Sequence, residues 1–88
     1  MHFEELWEKA ETTTDPESSS FEILNELEIK MSLLKNIVSS GLSGDDRSQA
    51  IGVSLGSILK NLAHISMKEN INVFAALNQS LIGESIKD

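Results

Sequence analysis

From Phe21 to Ser40 the apolar residues step by three and four along the chain. Ile23, Leu24, Leu27, Met31, Leu34 and Val38 therefore share one side of an α-helix, and Leu33 and Ile37 widen that side until it can touch two neighbours at once. No stretch of useful length alternates apolar and polar residues, so no sheet is expected. A helix with so broad an apolar stripe has to be covered, and an 88-residue chain has little to cover it with. Ordering such a chain costs roughly 1.5 kcal/mol per residue, which a small core only about offsets. The chain has no cysteine, so neither disulfides nor thiolate metal sites can reinforce it. Helix packing and self-association are the routes that remain, and self-association is the default expectation.

The rest of the chain divides into three further helical stretches. Phe3 to Glu11 is a short helix with Phe3, Leu6, Trp7 and Ala10 at helical spacing. Trp7 is the only tryptophan and reads as a packing anchor, on its own core or on a second subunit. Residues 12–20 hold the only proline and almost no apolar atoms, so they are expected to be a mobile linker within a single helical domain spanning 1–88. Ser19 and Glu22 have capping-box spacing and start the second helix, which Gly41 is expected to stop. Asp46 with Gln49 offers another cap, and a third helix runs from there to Glu69, with Asn70 as its stop. Asn72 caps a fourth, whose apolar face is Val73, Phe74, Ala76, Leu77, Leu81 and Ile82.

Charge excludes some functions. Fourteen acids stand against seven bases, a net charge of -7, with Arg47 the one arginine. Phosphate backbones are held by clustered Lys and Arg, so nucleic acid is not the expected partner. No apolar run is long enough to span a membrane. Met1-His2-Phe3-Glu4-Glu5 lacks the basic-then-apolar order of a secretory leader, so the expected compartment is the cytoplasm. Glu22, Glu26 and Glu28 read as a solvated face favoured by the helix dipole. His2 and His64 have no companion at metal-ligand spacing and read as surface residues. There is neither a nucleophile-elbow motif nor a P-loop; Gly41-Leu-Ser-Gly44 lacks the length and the lysine.

Two stripes on the third helix stand out. Ser48, Gly52 and Gly56 repeat every four residues, and small residues on one face let another helix approach closely, within the subunit or across a dimer. Glycine costs about 1 kcal/mol in a helix interior, so two of them call for a packing reason. Ser54, Ser57 and Asn61 make a second, polar line, either a pocket floor or a hydrogen-bonded stripe inside the bundle.

The run from Ser54 through Leu55, Gly56, Ser57, Leu59, Leu62 and Ala63, followed by Ile71, Ala76, Leu77 and Asn78, resembles the third helix and following turn of the MazG-like, all-α nucleotide pyrophosphohydrolases. The resemblance is clear over residues 50–79. It implies a four-helix bundle with two long antiparallel central helices, completed by dimerisation. Members of that family cleave nucleoside triphosphates to a monophosphate and pyrophosphate with magnesium held by Glu-Glu-x-x-Glu on one helix and Glu-x-x-Asp on the next. Such hard ions want oxygen ligands, and they activate water and neutralise the leaving group.

This chain departs from that pattern where the acids belong. The Glu-x-x-Asp positions hold Ser54 and Ser57. One register places the other motif on Glu28, Ile29 and Ser32, keeping only Glu28; matching the apolar stripe places it on Ile29, Lys30 and Leu33, keeping none. Asn78 matches the family's terminal Asn, but Leu81 stands where its Lys is expected. The resemblance therefore implies a catalytically degenerate relative with no metal site or cofactor, a groove drawn from Glu28, Ser54, Ser57, Asn61 and Asn78, and a binding or regulatory role toward a protein or a weakly held nucleotide. The alternatives are an active magnesium-dependent pyrophosphohydrolase with shifted ligands, and an unrelated acidic helical module that binds another protein.

Overall fold

The computed structural model describes residues 2–86, with side-chain detail through Gly83. The chain is all-helical: α1 (Phe3–Thr12), α2 (Ser20–Ser39), α3 (Gly44–Glu69) and α4 (Val73–Ile86), with no strand among the described residues.

Local chemistry explains most of the helix ends. The Ser19 side chain accepts the Glu22 N–H at 3.1 Å and opens α2. Asn70 takes the left-handed conformation (φ 54) that closes α3, and Ile71 N–H reaches back to the Ser66 carbonyl at 3.0 Å. Asn72 Oδ1 accepts the Ala75 N–H at 3.1 Å at the entry to α4. Two expected ends differ. The Ser39 and Ser40 hydroxyls bond back to the Lys35 and Ile37 carbonyls, so α2 closes on serine rather than on Gly41. Helix α3 begins at Gly44, ahead of the expected Asp46 cap, and Gly44 turns the chain into it with a φ of +61 that a side chain would resist.

The two long helices form an antiparallel hairpin. Ser20 donates to Glu69 at one end (2.6 Å) and Arg47 donates to the Val38 carbonyl at the other (3.1 Å). Between them, Ile23 and Leu27 are buried on α2, with Leu34 and Ile37 half-buried. Helix α1 lies along α3 and is clipped there by Ser66, which donates to Glu11 Oε2 at 2.9 Å. Trp7 is buried within its own chain: its ring stands 6.1 Å from Phe3 and 5.8 Å from Phe74, which hangs α4 on α1. Phe3 completes the triangle edge-on to Phe74 at 6.0 Å.

The core is small. Trp7, Ile23, Leu27 and Ala63 are its buried apolar residues among those described, and no large side chain is fully enclosed. The expected apolar face of α2 is divided: Leu24, Met31, Leu33 and Val38 stay exposed. Segment 13–19 is also tied to the fold more closely than its composition suggests. Asp15 accepts the Glu17 N–H and the Ser18 hydroxyl, and Thr13 reaches His64 on α3. Polar bonds do there what apolar burial cannot. No helix is long and apolar enough to cross a membrane among the described residues.

Candidate functional site

Where α2 crosses α3, Lys30 and Asn61 meet. Asn61 sits one turn beyond Ser57 on α3, turned inward and 3% exposed. A buried amide must find partners or carry a desolvation cost. Its Nδ2 donates to the Ile23 carbonyl at 3.4 Å and its Oδ1 accepts from Lys30 Nζ at 2.6 Å. The same ammonium pairs with Glu26, one turn earlier on α2, at 3.2 Å and reaches the Ser57 carbonyl at 3.5 Å. Lys30 thus spends its donors on groups of both helices.

Around this knot lies a polar cleft of about 290 Å³, walled by Thr13, Glu26, Lys30, Ser57, Lys60 and His64. Thr13 Oγ1 and His64 Nε2 are 2.8 Å apart. The Thr13 hydroxyl also donates to the Ala10 carbonyl at 2.6 Å, so its one proton points away from the ring, and Nε2 is the donor to Thr13. A histidine that donates cannot serve as the base for that hydroxyl, and the pair is not a nucleophile with its activator. Burial is the first cause holding His64 below its ordinary value of 6.5, followed by the positive charges of Lys60 and Lys30. Glu26 and a bond to the Ala10 carbonyl pull the other way. Two acids, Asp15 and Glu26, and two bases, Lys30 and Lys60, line the cleft, and at His64 burial together with the two lysines outweighs Glu26 and disfavours the protonated ring.

The polar line on α3 is partly gathered here. Ser57 and Asn61 share the cleft. Ser54 lines the next one, of about 290 Å³, with Lys30, Leu33, Ile37, Ala50 and Val53. The α2 residues that line this cleft with Ser54 and Ser57 are Lys30, Leu33 and Ile37. Glu28, Ile29 and Ser32 are exposed and line neither cleft. Asn78 is exposed on α4 and lines neither. No group of three His, Cys, Asp or Glu side chains able to hold a metal ion occurs among the described residues.

The small-residue stripe needs correcting in one respect. A Cβ built on Gly52 or Gly56 would meet no atom within 4 Å, so neither glycine admits a close helix crossing within the chain. Ser48 is exposed on the same helix. Gly56 instead floors an apolar cleft of about 350 Å³ beside Phe3, Leu6, Trp7 and Leu59.

Lys30, Glu26, Thr13 and His64 were not legible as a site from the sequence. One signal was present: Glu26 and Lys30 stand one turn apart on α2 in the order that favours an ion pair. No family model, curated protein or solved structure matches the chain.

Proposed function

We propose that this chain is a MazG-like helical domain that has lost pyrophosphohydrolase chemistry and acts as a binding or regulatory module, paired with a second copy of itself in the cytoplasm. The observation that carries the reading is Lys30. Its ammonium lies between the long helices, bonded to Asn61 and Glu26 and beside Ser57. In the family that the chain resembles, carboxylates on two neighbouring helices gather a divalent ion. Here the neutral Ser54 and Ser57 supply no charge for one, and a fixed positive charge repels it. The ammonium performs the bridging that a metal would perform, in the absence of any activated water. Helix-to-helix cohesion is kept and the hydrolytic chemistry is lost.

The test is incubation with magnesium and each nucleoside triphosphate in turn, with pyrophosphate release as the readout. No release above a protein-free control is expected. Turnover at an ordinary enzyme rate, on the order of 1 s⁻¹ or faster, would remove the reading.

A further inference from the structure

The apolar cleft between α1 and α3 lies beside the polar one. Phe3, Leu6 and Trp7 of α1 wall it, and Gly56 and Leu59 of α3 floor it, around a volume of about 350 Å³. Phe3, Leu6 and Leu59 are 54%, 50% and 41% exposed, so this apolar wall is wet as it stands. Lys60 is the only charged residue on the wall, a base in a chain with twice as many acids as bases. Its ammonium has no hydrogen-bond or ion-pair partner among the described residues. Lys60 also lines the polar cleft, so its charge stands where the apolar wall gives way to polar groups and water.

Gly56 keeps the cleft open. Its backbone is ordinary helix, not the left-handed conformation that favours glycine. A Cβ there would meet no atom within 4 Å, so no close neighbour requires glycine either. The local effect of the missing side chain is a floor of bare backbone, where a larger residue would fill the space. Pockets for small ligands span about 300–1,000 Å³, and this one lies at the small end. It suits one ring or a short alkyl chain.

We infer that this cleft binds a small apolar carboxylate, with its hydrocarbon body over Gly56 and against Trp7 and its head on the Lys60 ammonium. The walls select the body, because covering Phe3, Leu6 and Leu59 takes apolar surface out of water. Charge selects the head. A lysine presents one compact charge rather than a two-pronged fork, and a single carboxylate matches it. A phosphate monoester would bring close to two negative charges to a chain that already carries -7. An apolar cation would meet the ammonium as a like charge. The site is formed by α1 and α3 and makes no use of the α2–α3 crossing, so it stands apart from the loss of hydrolysis proposed above.

Trp7 is the only tryptophan and lies on the wall, so its fluorescence reads occupancy. The test is titration of the full chain with octanoate and, separately, with octylammonium, in about 0.15 M salt so that distant acids are screened. Octanoate should give a saturable change, with a midpoint about fivefold lower than that of octylammonium. Gly56→Leu should abolish the response by filling the cleft. Gly52→Leu makes the same change one turn away, off the wall, and should leave the response intact. Lys60→Glu should reverse the preference between the two heads. Circular dichroism confirms that each variant remains helical. No saturable response to octanoate overturns the site. A response that survives Gly56→Leu, or that Gly52→Leu also abolishes, overturns its location. Equal midpoints for the two heads, or a preference unmoved by Lys60→Glu, overturn the carboxylate. A parent dimer that Gly56→Leu converts to monomer in sedimentation velocity shows a second copy filling the cleft, which overturns the ligand.

Discussion

The two faces of the α2–α3 hairpin lie on the same two helices and end in different states. On one, Glu26, Lys30, Ser57, Asn61 and His64 satisfy one another and the backbone within the chain. On the other, Leu24, Met31, Val38, Leu55 and Leu62 have the spacing of a core and are not enclosed. The difference follows from the physics of the two kinds of contact. A hydrogen bond is made by two groups at one distance, so a small polar cluster can be completed by one helix pair and a linker. Apolar burial needs area on every side, and the three other helices of so small a chain cannot supply it. The polar cluster therefore fixes how the hairpin closes, and apolar side chains stay exposed on both flanks, Leu33 and Val53 beside the cluster as well as Leu24 and Met31 opposite.

The largest effect is expected at the seam that both faces share. Leu27 is buried in the hairpin between them. Leu27→Ala removes that contact and leaves a void, at a cost of about 2–5 kcal/mol. A domain this small has only a few kcal/mol to lose. Urea denaturation at fixed protein concentration, followed by circular dichroism, should show a large fraction unfolded before denaturant is added. A midpoint within experimental scatter of the parent would mean that the hairpin is not held by its seam.

A smaller change is expected on the polar face alone. Lys30→Met keeps the stem of the side chain and removes the ammonium. Asn61 Oδ1 is then buried with no donor, at a cost of about 1–3 kcal/mol. Adding Asn61→Leu removes the orphaned acceptor as well, and the double variant should recover most of the loss. If the two changes simply add, the Lys30–Asn61 contact is not a coupled pair, and the polar face does less than its geometry implies.

The same comparison separates what could be read from the sequence from what could not. The helices and three of their ends were legible, because Ser19, Asn70 and Asn72 act on backbone groups two to four residues away. The breadth of the α2 stripe was legible too. Which flank of it would be buried was not, since that depends on the register of α3 against α2, set by contacts between residues up to 49 apart. The candidate site depends on the same register. Ser57 and Asn61 stood out because they share one helix face, whereas Lys30 and His64 become partners only after the hairpin closes and segment 13–19 folds over it. Glu28 was drawn into the groove by one of two motif registers one residue apart, and one residue turns a helical side chain by about 100°. In the structure it is exposed.

The smallest effect is on pH dependence, and it probes the charge of the polar face. His64 is held below 6.5 in the folded chain, first by burial and then by Lys60 and Lys30. The unfolded chain, where that group titrates near its ordinary value, therefore takes up the proton first as the pH falls. The contribution of His64 is complete above about pH 6.5 and is lost as pH falls from there through the folded value. Between about pH 7.5 and about pH 5.5 the melting temperature of the parent should fall further than that of His64→Gln, which has nothing to protonate at this position. Equal slopes would mean that the ring does not feel the cleft. In a Lys30→Met background the parent's extra slope should shrink, because one of the two charges opposing protonation has gone. A slope that does not shrink would leave burial and Lys60 as the forces on His64, and would separate it from the Lys30–Asn61 knot.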